Sequence, residues 1–246
     1  MITKQSRSAT LRRIPSRALL FALAALCGPS GCDRPHAAAP ERLTLRFPGV
    51  TRIAIAPIMN FSGETSLDPV RAADLLASEM AGVDGITIVP VNRVVVALQR
   101  QGLPFVQSPA HAAEICRSVG SDAILVPALT EYNPYPPMVV GLLMELYVLP
   151  QSPAGRISAY RDPDELPARS MAPAAQVQLV LNAAHDGTVA RVKHYAAARS
   201  ASTGPFAWRR YLVAQDQYLR FCFYSGLHSM LNPETYRMAL GETSDE

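Results

Sequence analysis

Ile53-Ala54-Ile55-Ala56-Pro57-Ile58-Met59-Asn60-Phe61-Ser62-Gly63 is the stretch whose reading decides the fold. Ile53 to Ala56 is a short apolar run closed by a proline, the mark of a strand buried on both faces. Asn60 to Gly63 has the chemistry of a turn. Asn and Ser side chains bond nearby backbone, and Gly63 is free to take a positive φ. The turn falls where open α/β sheets tend to place ligand sites, at the carboxyl end of a parallel strand. Two readings stand, a structural turn and a binding surface formed by Asn60, Ser62 and Gly63. A phosphate loop is excluded, because there is no glycine series and no Gly-Lys-Ser/Thr.

Downstream, Asp68-Pro69 opens a helix, with Asp as N-cap and Pro in the first position. Val70, Ala73, Ala77 and Met80 form its expected apolar stripe, and Gly82 ends it. Ile86 to Val89 reads as the second strand. Val91 to Gln101 is a helix with Val94, Val95 and Leu98 inward. Ser108-Pro109 starts a third helix, on which Ala112, Ile115, Cys116 and Val119 recur at helical spacing. Ala123 to Leu129 is the third strand. This alternation implies a parallel sheet with right-handed crossovers.

After Thr130 the rhythm changes. Val139 to Leu149, Gln176 to Ala184 and Thr188 to Ala198 read as long strands, and Asp186-Gly187 between the last two is a hairpin signal. Pro150, Pro153, Pro163, Pro167 and Pro173 mark a long loop over 150–173. Phe206 to Leu231 reads as one long helix with Leu212, Leu219, Phe223 and Met230 on one face. The expectation is an α/β fold in three layers about a mixed sheet. Its first half is parallel with crossover helices, its second half is antiparallel, and a long helix closes it.

Several of these features, in this order, resemble the TolB amino-terminal-like superfamily. Pro57-Ile58-Met59-Asn60-Phe61-Ser62-Gly63 is similar to its strand-end motif. Val89-Pro90 ends the second strand, an Arg93-led helix runs to Gly102, and Gly120-Ser121-Asp122-Ala123 precedes the third strand. The resemblance covers roughly residues 50 to 231. This chain departs from it in the Pro-rich insertion and in the Tyr132–Pro137 turn. Lipoproteins of that superfamily include curli-secretion components and activators of penicillin-binding proteins. The resemblance therefore implies a periplasmic accessory or assembly role and no catalysis, without choosing a partner.

The amino terminus agrees in kind. Arg12-Arg13, an apolar run from Ala18 to Cys27, and Pro29-Ser30-Gly31-Cys32 have the order of a secretory signal. The run is well under the ~20 residues a permanent span takes. Ser30-Gly31-Cys32 resembles the lipobox of bacterial lipoproteins, with Pro29 where a Leu is usual, and makes Cys32 the expected lipidated residue. The expected organisation is a signal over 1–31, a lipid-anchored tether over 32–42 and one domain over 43–246. Export also changes the charge. Lys4, Arg7, Arg12, Arg13 and Arg17 precede Cys32 and no acid does, so subtracting these five from the formal +3 leaves −2. No excess of cations then remains to attract nucleic acid. Cys116 and Cys222 are the cysteines of the remaining domain, and either a disulfide or two buried thiols fits them.

Catalytic constellations are poor. His185 and Asp186 fall at the expected hairpin turn, with His194 in the strand after it, while His111 opens a helix and Glu131 stands alone. Neither a Gly-x-Ser-x-Gly elbow nor a His-Glu-x-x-His helix occurs. No catalytic residue, metal or cofactor is expected. In Tyr132-Asn133-Pro134-Tyr135-Pro136-Pro137, Tyr132 and Tyr135 form either a partner-binding tip or packing against the sheet edge. The resulting expectation is a lipid-anchored envelope protein facing the periplasm, with the choice of membrane open, that binds or helps assemble another envelope protein. A hydrolase-like enzyme and an oligomeric subunit of a secretion assembly are the alternatives.

Overall fold

The structure, a computed structural model, describes residues 43–45, 47, 49–149, 172–199 and 206–231. The expected signal and tether over 1–42, Cys32 included, and most of the Pro-rich loop lie outside the described residues. In chain order the elements are β1 (Arg52–Ile55), β2 (Met59–Asn60), α1 (Pro69–Met80), β3 (Thr87–Val89), α2 (Val91–Arg100) and α3 (Pro109–Val119). There follow β4 (Ala123–Asn133), β5 (Val139–Val148), β6 (Ala175–Asn182), α4 (Asp186–Ala198), a 3₁₀ helix (Ala207–Leu212) and α5 (Gln215–Leu231).

The strands form one mixed sheet in the order β3-β1-β4-β5-β6, with β2 also paired to β4. β1 runs parallel to β3, Ile53 against Ile88, and to β4, Ile53 against Ala123. β4, β5 and β6 are antiparallel. Alternate side chains of β1 and β4 enter two separate cores. Ile53, Ile55 and Leu125 pack with Ala73, Leu76 and Phe223 from α1 and α5. Ala54, Ala56, Ile124 and Val126 pack with Val94, Leu98, Ile115 and Cys116 from α2 and α3. This is the expected three-layer arrangement, and it explains the unbroken apolar run: a parallel strand covered on both faces has no polar side.

The helix starts follow their sequence signals. The Asp68 carboxylate accepts from the backbone N–H of Val70 at 2.9 Å and of Arg71 at 3.1 Å, and the Ser108 hydroxyl accepts from His111 N–H at 3.1 Å. The stripe on α1 differs from expectation. Ala72, Ala73, Leu75, Leu76 and Met80 are its buried residues, while Val70 is 39% exposed. The helix packs beside α5 in the core on one face of the sheet, so its buried face is turned toward both.

Three further expectations are corrected. Thr188 to Ala198 is not a strand, and Asp186-Gly187 is not a hairpin turn: together they form α4. Its buried residues Thr188, Val192, Tyr195 and Ala196 recur at helical spacing, and Asp186 sits in the first turn, where the helix dipole favours an acid. The expected helix from Phe206 is interrupted. A 3₁₀ segment buries Tyr211, Val213 and Ala214 break the ladder, and α5 begins at Gln215. Finally, β4 continues past Leu129, through an irregularity before Glu131, to Asn133. Tyr132 is therefore a strand residue.

Candidate functional site at the carboxyl end of the parallel strands

The chain leaves β1 toward α1 on one face of the sheet and returns from β3 through α2 and α3 on the other. The carboxyl end of β1 is therefore a topological switch point, where the two crossovers part and a crevice opens. The Asn60 turn closes that end. Ala56 N–H donates to Leu125 O at 2.9 Å and Phe61 N–H to Leu129 O at 2.8 Å, which fastens the turn to β4 on both sides of Pro57.

Within the turn the polar atoms satisfy one another. Asn60 Oδ1 accepts from the Ser62 backbone N–H at 3.1 Å and from its hydroxyl at 2.6 Å. Asn60 Nδ2 donates to Glu64 O at 2.6 Å, and Ser62 Oγ accepts from Glu64 N–H at 3.2 Å. Gly63 has φ +79°, with nothing within 4 Å of where a Cβ would stand. The Ser66 backbone N–H holds the exposed Glu64 carboxyl below the usual range. With its polar groups engaged internally, the turn presents Phe61 outward, 65% exposed.

Behind the turn lies an apolar hollow of about 190 Å³, floored by Pro57 and walled by Val70, Val95, Leu98, Pro104 and Phe105. Neither Phe61 nor this hollow was singled out in the sequence. The hollow joins α1, α2 and the loop after α2, which only the folded chain brings together.

The two tyrosines part company. Tyr132 is 9% exposed. Burial, with the neighbouring carboxylates of Asp216 and Glu64, pushes its hydroxyl pKa up. Pairing of β2 with β4 thus brings Tyr132 beside the Asn60 turn, on its core side. Tyr135 is 70% exposed in the β4–β5 connection, its N–H donating to Asn133 Oδ1 at 3.1 Å. The β2–β4 pairing ends at Asn60 against Leu129, just before Phe61, and β4 runs on to Asn133, just before Tyr135, so both side chains lie toward the carboxyl end of the parallel strands, with Tyr135 farther out.

The remaining candidates disperse. His185 and Asp186 begin α4, and His194 is exposed along it. The His111 ring is pinned between Gln101 Oε1 at 2.6 Å and the Gln107 N–H at 3.2 Å. Cys116 and Cys222 are free and buried in different cores on opposite faces of the sheet. Burial pushes the Cys116 thiol up to about 11 and the Cys222 thiol well above its ordinary value. Among the described residues no group of three His, Cys, Asp or Glu side chains converges as a metal site.

Asp122 of the Gly120-Ser121-Asp122-Ala123 motif has a structural task at the opposite end of the sheet. One carboxylate oxygen accepts from Thr51 N–H at 2.9 Å, Thr51 hydroxyl at 3.0 Å and Arg52 N–H at 2.9 Å. Burial raises its pKa, and these donors outweigh burial to hold the carboxyl below the usual range.

No family model matches the chain, and no curated protein matches it. Solved structures do. The LpoB C-terminal domain from Salmonella enterica is 16% identical over 55% of this chain and 84% of its own, with a TM-score of 0.38. Lipoprotein GNA1162 from Neisseria meningitidis is 14% identical over 54% of this chain and 80% of its own, with a TM-score of 0.39. A PelC dodecamer from Paraburkholderia phytofirmans is 19% identical over 42% and 64%, with a TM-score of 0.28. Likeness at these scores decides nothing about function, and the TolB-like label stays a resemblance of sequence.

Proposed function

We propose that this chain is a lipid-anchored protein of the bacterial cell envelope that binds another envelope protein through the carboxyl edge of its sheet, and that it does so without catalysis. The observation that carries this is the exposure of two aromatics toward the carboxyl end of the parallel strands, Phe61 and Tyr135, together with an apolar hollow that starts at Pro57, where the turn leaves β1. Aromatic side chains on rigid supports are the usual anchors of a protein interface. The turn behind Phe61 has engaged its own polar groups, so contact there is apolar and steric. Anchoring rests on the basic, apolar and small-residue order that ends at Cys32. No helix among the described residues is long and apolar enough to cross a membrane, and the reading assigns attachment to an acyl group on Cys32.

The test places a photo-crosslinking residue at Phe61, at Tyr135 and, as control, at Asp84 beside the amino end of β3. Irradiation in native membranes, followed by mass spectrometry, should give one common adduct from the first two positions and none from the third. Absence of a common adduct, or equal capture from Asp84, rejects the edge as the interface. Cys32→Ala, read separately by membrane fractionation, should release the protein, and retention of that variant on the membrane overturns the anchor.

A further inference from the structure

On the outer face of α2 and α3, away from the carboxyl edge, lies an open groove of about 520 Å³. Asn92, Arg93, Val96, Ala97, Arg100 and Gln101 of α2 and the loop after it form one wall, and Ser118 and Val119 of α3 form the other. Three facts about it stand together. Arg93 and Arg100 are exposed and, among the described residues, neither side chain makes an ion pair or hydrogen bond. Val96 between them is 43% exposed, a large apolar residue at the centre of the groove. The surrounding segment from Pro90 to Gly120 carries three arginines, Arg93, Arg100 and Arg117, against one acid, Glu114. Gln101 Nε2 donates to that acid at 3.2 Å. The groove is a basic patch on a domain whose net charge without the leader is negative.

We infer that the α2–α3 groove receives an acidic amphipathic helix from a partner protein, with two carboxylates on Arg93 and Arg100 and an apolar side chain on Val96. Arg93 and Arg100 are two helical turns apart, about 10 Å along the axis of α2. A helix lying along the groove meets that spacing with acids at i and i+7 and an apolar residue at i+3 or i+4, the anchor pattern of helix-in-groove recognition. Guanidinium groups are suited to carboxylates because they pair with them in a bidentate fork. The concave floor favours a helix over a flat anionic membrane, which would touch the rims and leave Val96 uncovered. This inference rests on the reading of the chain as a protein-binding module and adds a second surface with a stated partner chemistry.

The probe is a synthetic alanine-rich helical peptide with glutamates seven residues apart and a leucine four residues after the first. Its control carries lysines in place of the glutamates. Amide NMR of the intact domain should show shifts at Val96, Gln101 and Val119 with the acidic peptide and none with the basic one. Arg93→Glu with Arg100→Glu should weaken acidic-peptide binding at least tenfold and confer binding of the basic peptide. Both positions are exposed, and if that variant fails to fold, Arg93→Gln with Arg100→Gln tests the loss alone. Undisturbed groove amides, or equal binding to the charge-reversed variant, overturn the proposal. So does arginine-dependent binding to phosphatidylglycerol vesicles that displaces the peptide, since it would assign the groove to a membrane. None of these outcomes alters the crosslinks at Phe61 and Tyr135, so the two readings fail separately.

Discussion

Gly63 shows how much a single position can carry. A side chain there would meet no atom, so the constraint is backbone strain alone, from a φ of +79°. Gly63→Val forces a β-branched residue into a conformation it rarely adopts. The expected loss is about 1–3 kcal/mol, read as a lower urea midpoint at unchanged slope, whereas Gly63→Asn should lose less because Asn tolerates this region. An unchanged midpoint for the valine variant would show that the turn relaxes freely. The turn was legible in the sequence because the hydrogen bonds of the Asn60 and Ser62 side chains are all local, from Asn60 to Glu64. The two tyrosines were not, because their separation depends on how far β4 runs. Tyr132 belongs to the core, so Tyr132→Ala should lower stability by about 3 kcal/mol. Tyr135→Ala should leave the melting temperature unchanged and reduce partner capture. A stable Tyr132→Ala protein would contradict its burial.

At the scale of elements, the parallel half could be read because each signal was redundant: capping residue, proline and apolar period agreed at α1 and α3. α4 was misread because Asp186-Gly187 favours a hairpin and Val189 and Val192 favour a strand. The run Ala196-Ala197-Ala198 and the spacing of Thr188, Val192 and Tyr195 were the opposing helical signal. What decides the case is tertiary. Tyr195 packs edge-on to Tyr211 at 5.2 Å, which only a helix at this place can arrange. Arg199, at the end of α4, stacks 3.7 Å over the Tyr195 ring and donates to Glu79 of α1 at 2.6 Å. Arg220 of α5 donates to the same carboxylate at 3.2 Å. The Glu79 side chain is 5% exposed, so one buried carboxylate ties three helices. Glu79→Ala should therefore destabilise by about 3 kcal/mol, the range for removing one partner of a buried pair. Arg220→Ala, whose side chain is 31% exposed, should lose less. Equal and small losses in denaturant titration would mean the cluster is solvated. No local pattern marks this cluster, since Glu79 lies more than a hundred residues from either arginine.

In the whole molecule, β1 and β4 supply residues to both cores, so the two cores share a wall. Cys116 in one and Cys222 in the other are natural reporters of that coupling. Burial raises both thiol pKa values, which lowers the thiolate fraction at neutral pH and adds to the steric block. In the native protein near pH 8, neither should react with an alkylating reagent on the time scale of a free thiol. In increasing urea, both should become reactive together, at the midpoint of global unfolding, because the shared strands make one cooperative unit. Peptide mapping by mass spectrometry distinguishes the two sites from each other and from Cys27 and Cys32. Asp122→Asn weakens the clip between β1 and β4 and should move both labelling midpoints down by the same amount. Labelling of Cys116 well before Cys222 would show instead that the α2–α3 layer peels from the sheet on its own. The groove on that layer would then belong to a separately mobile unit.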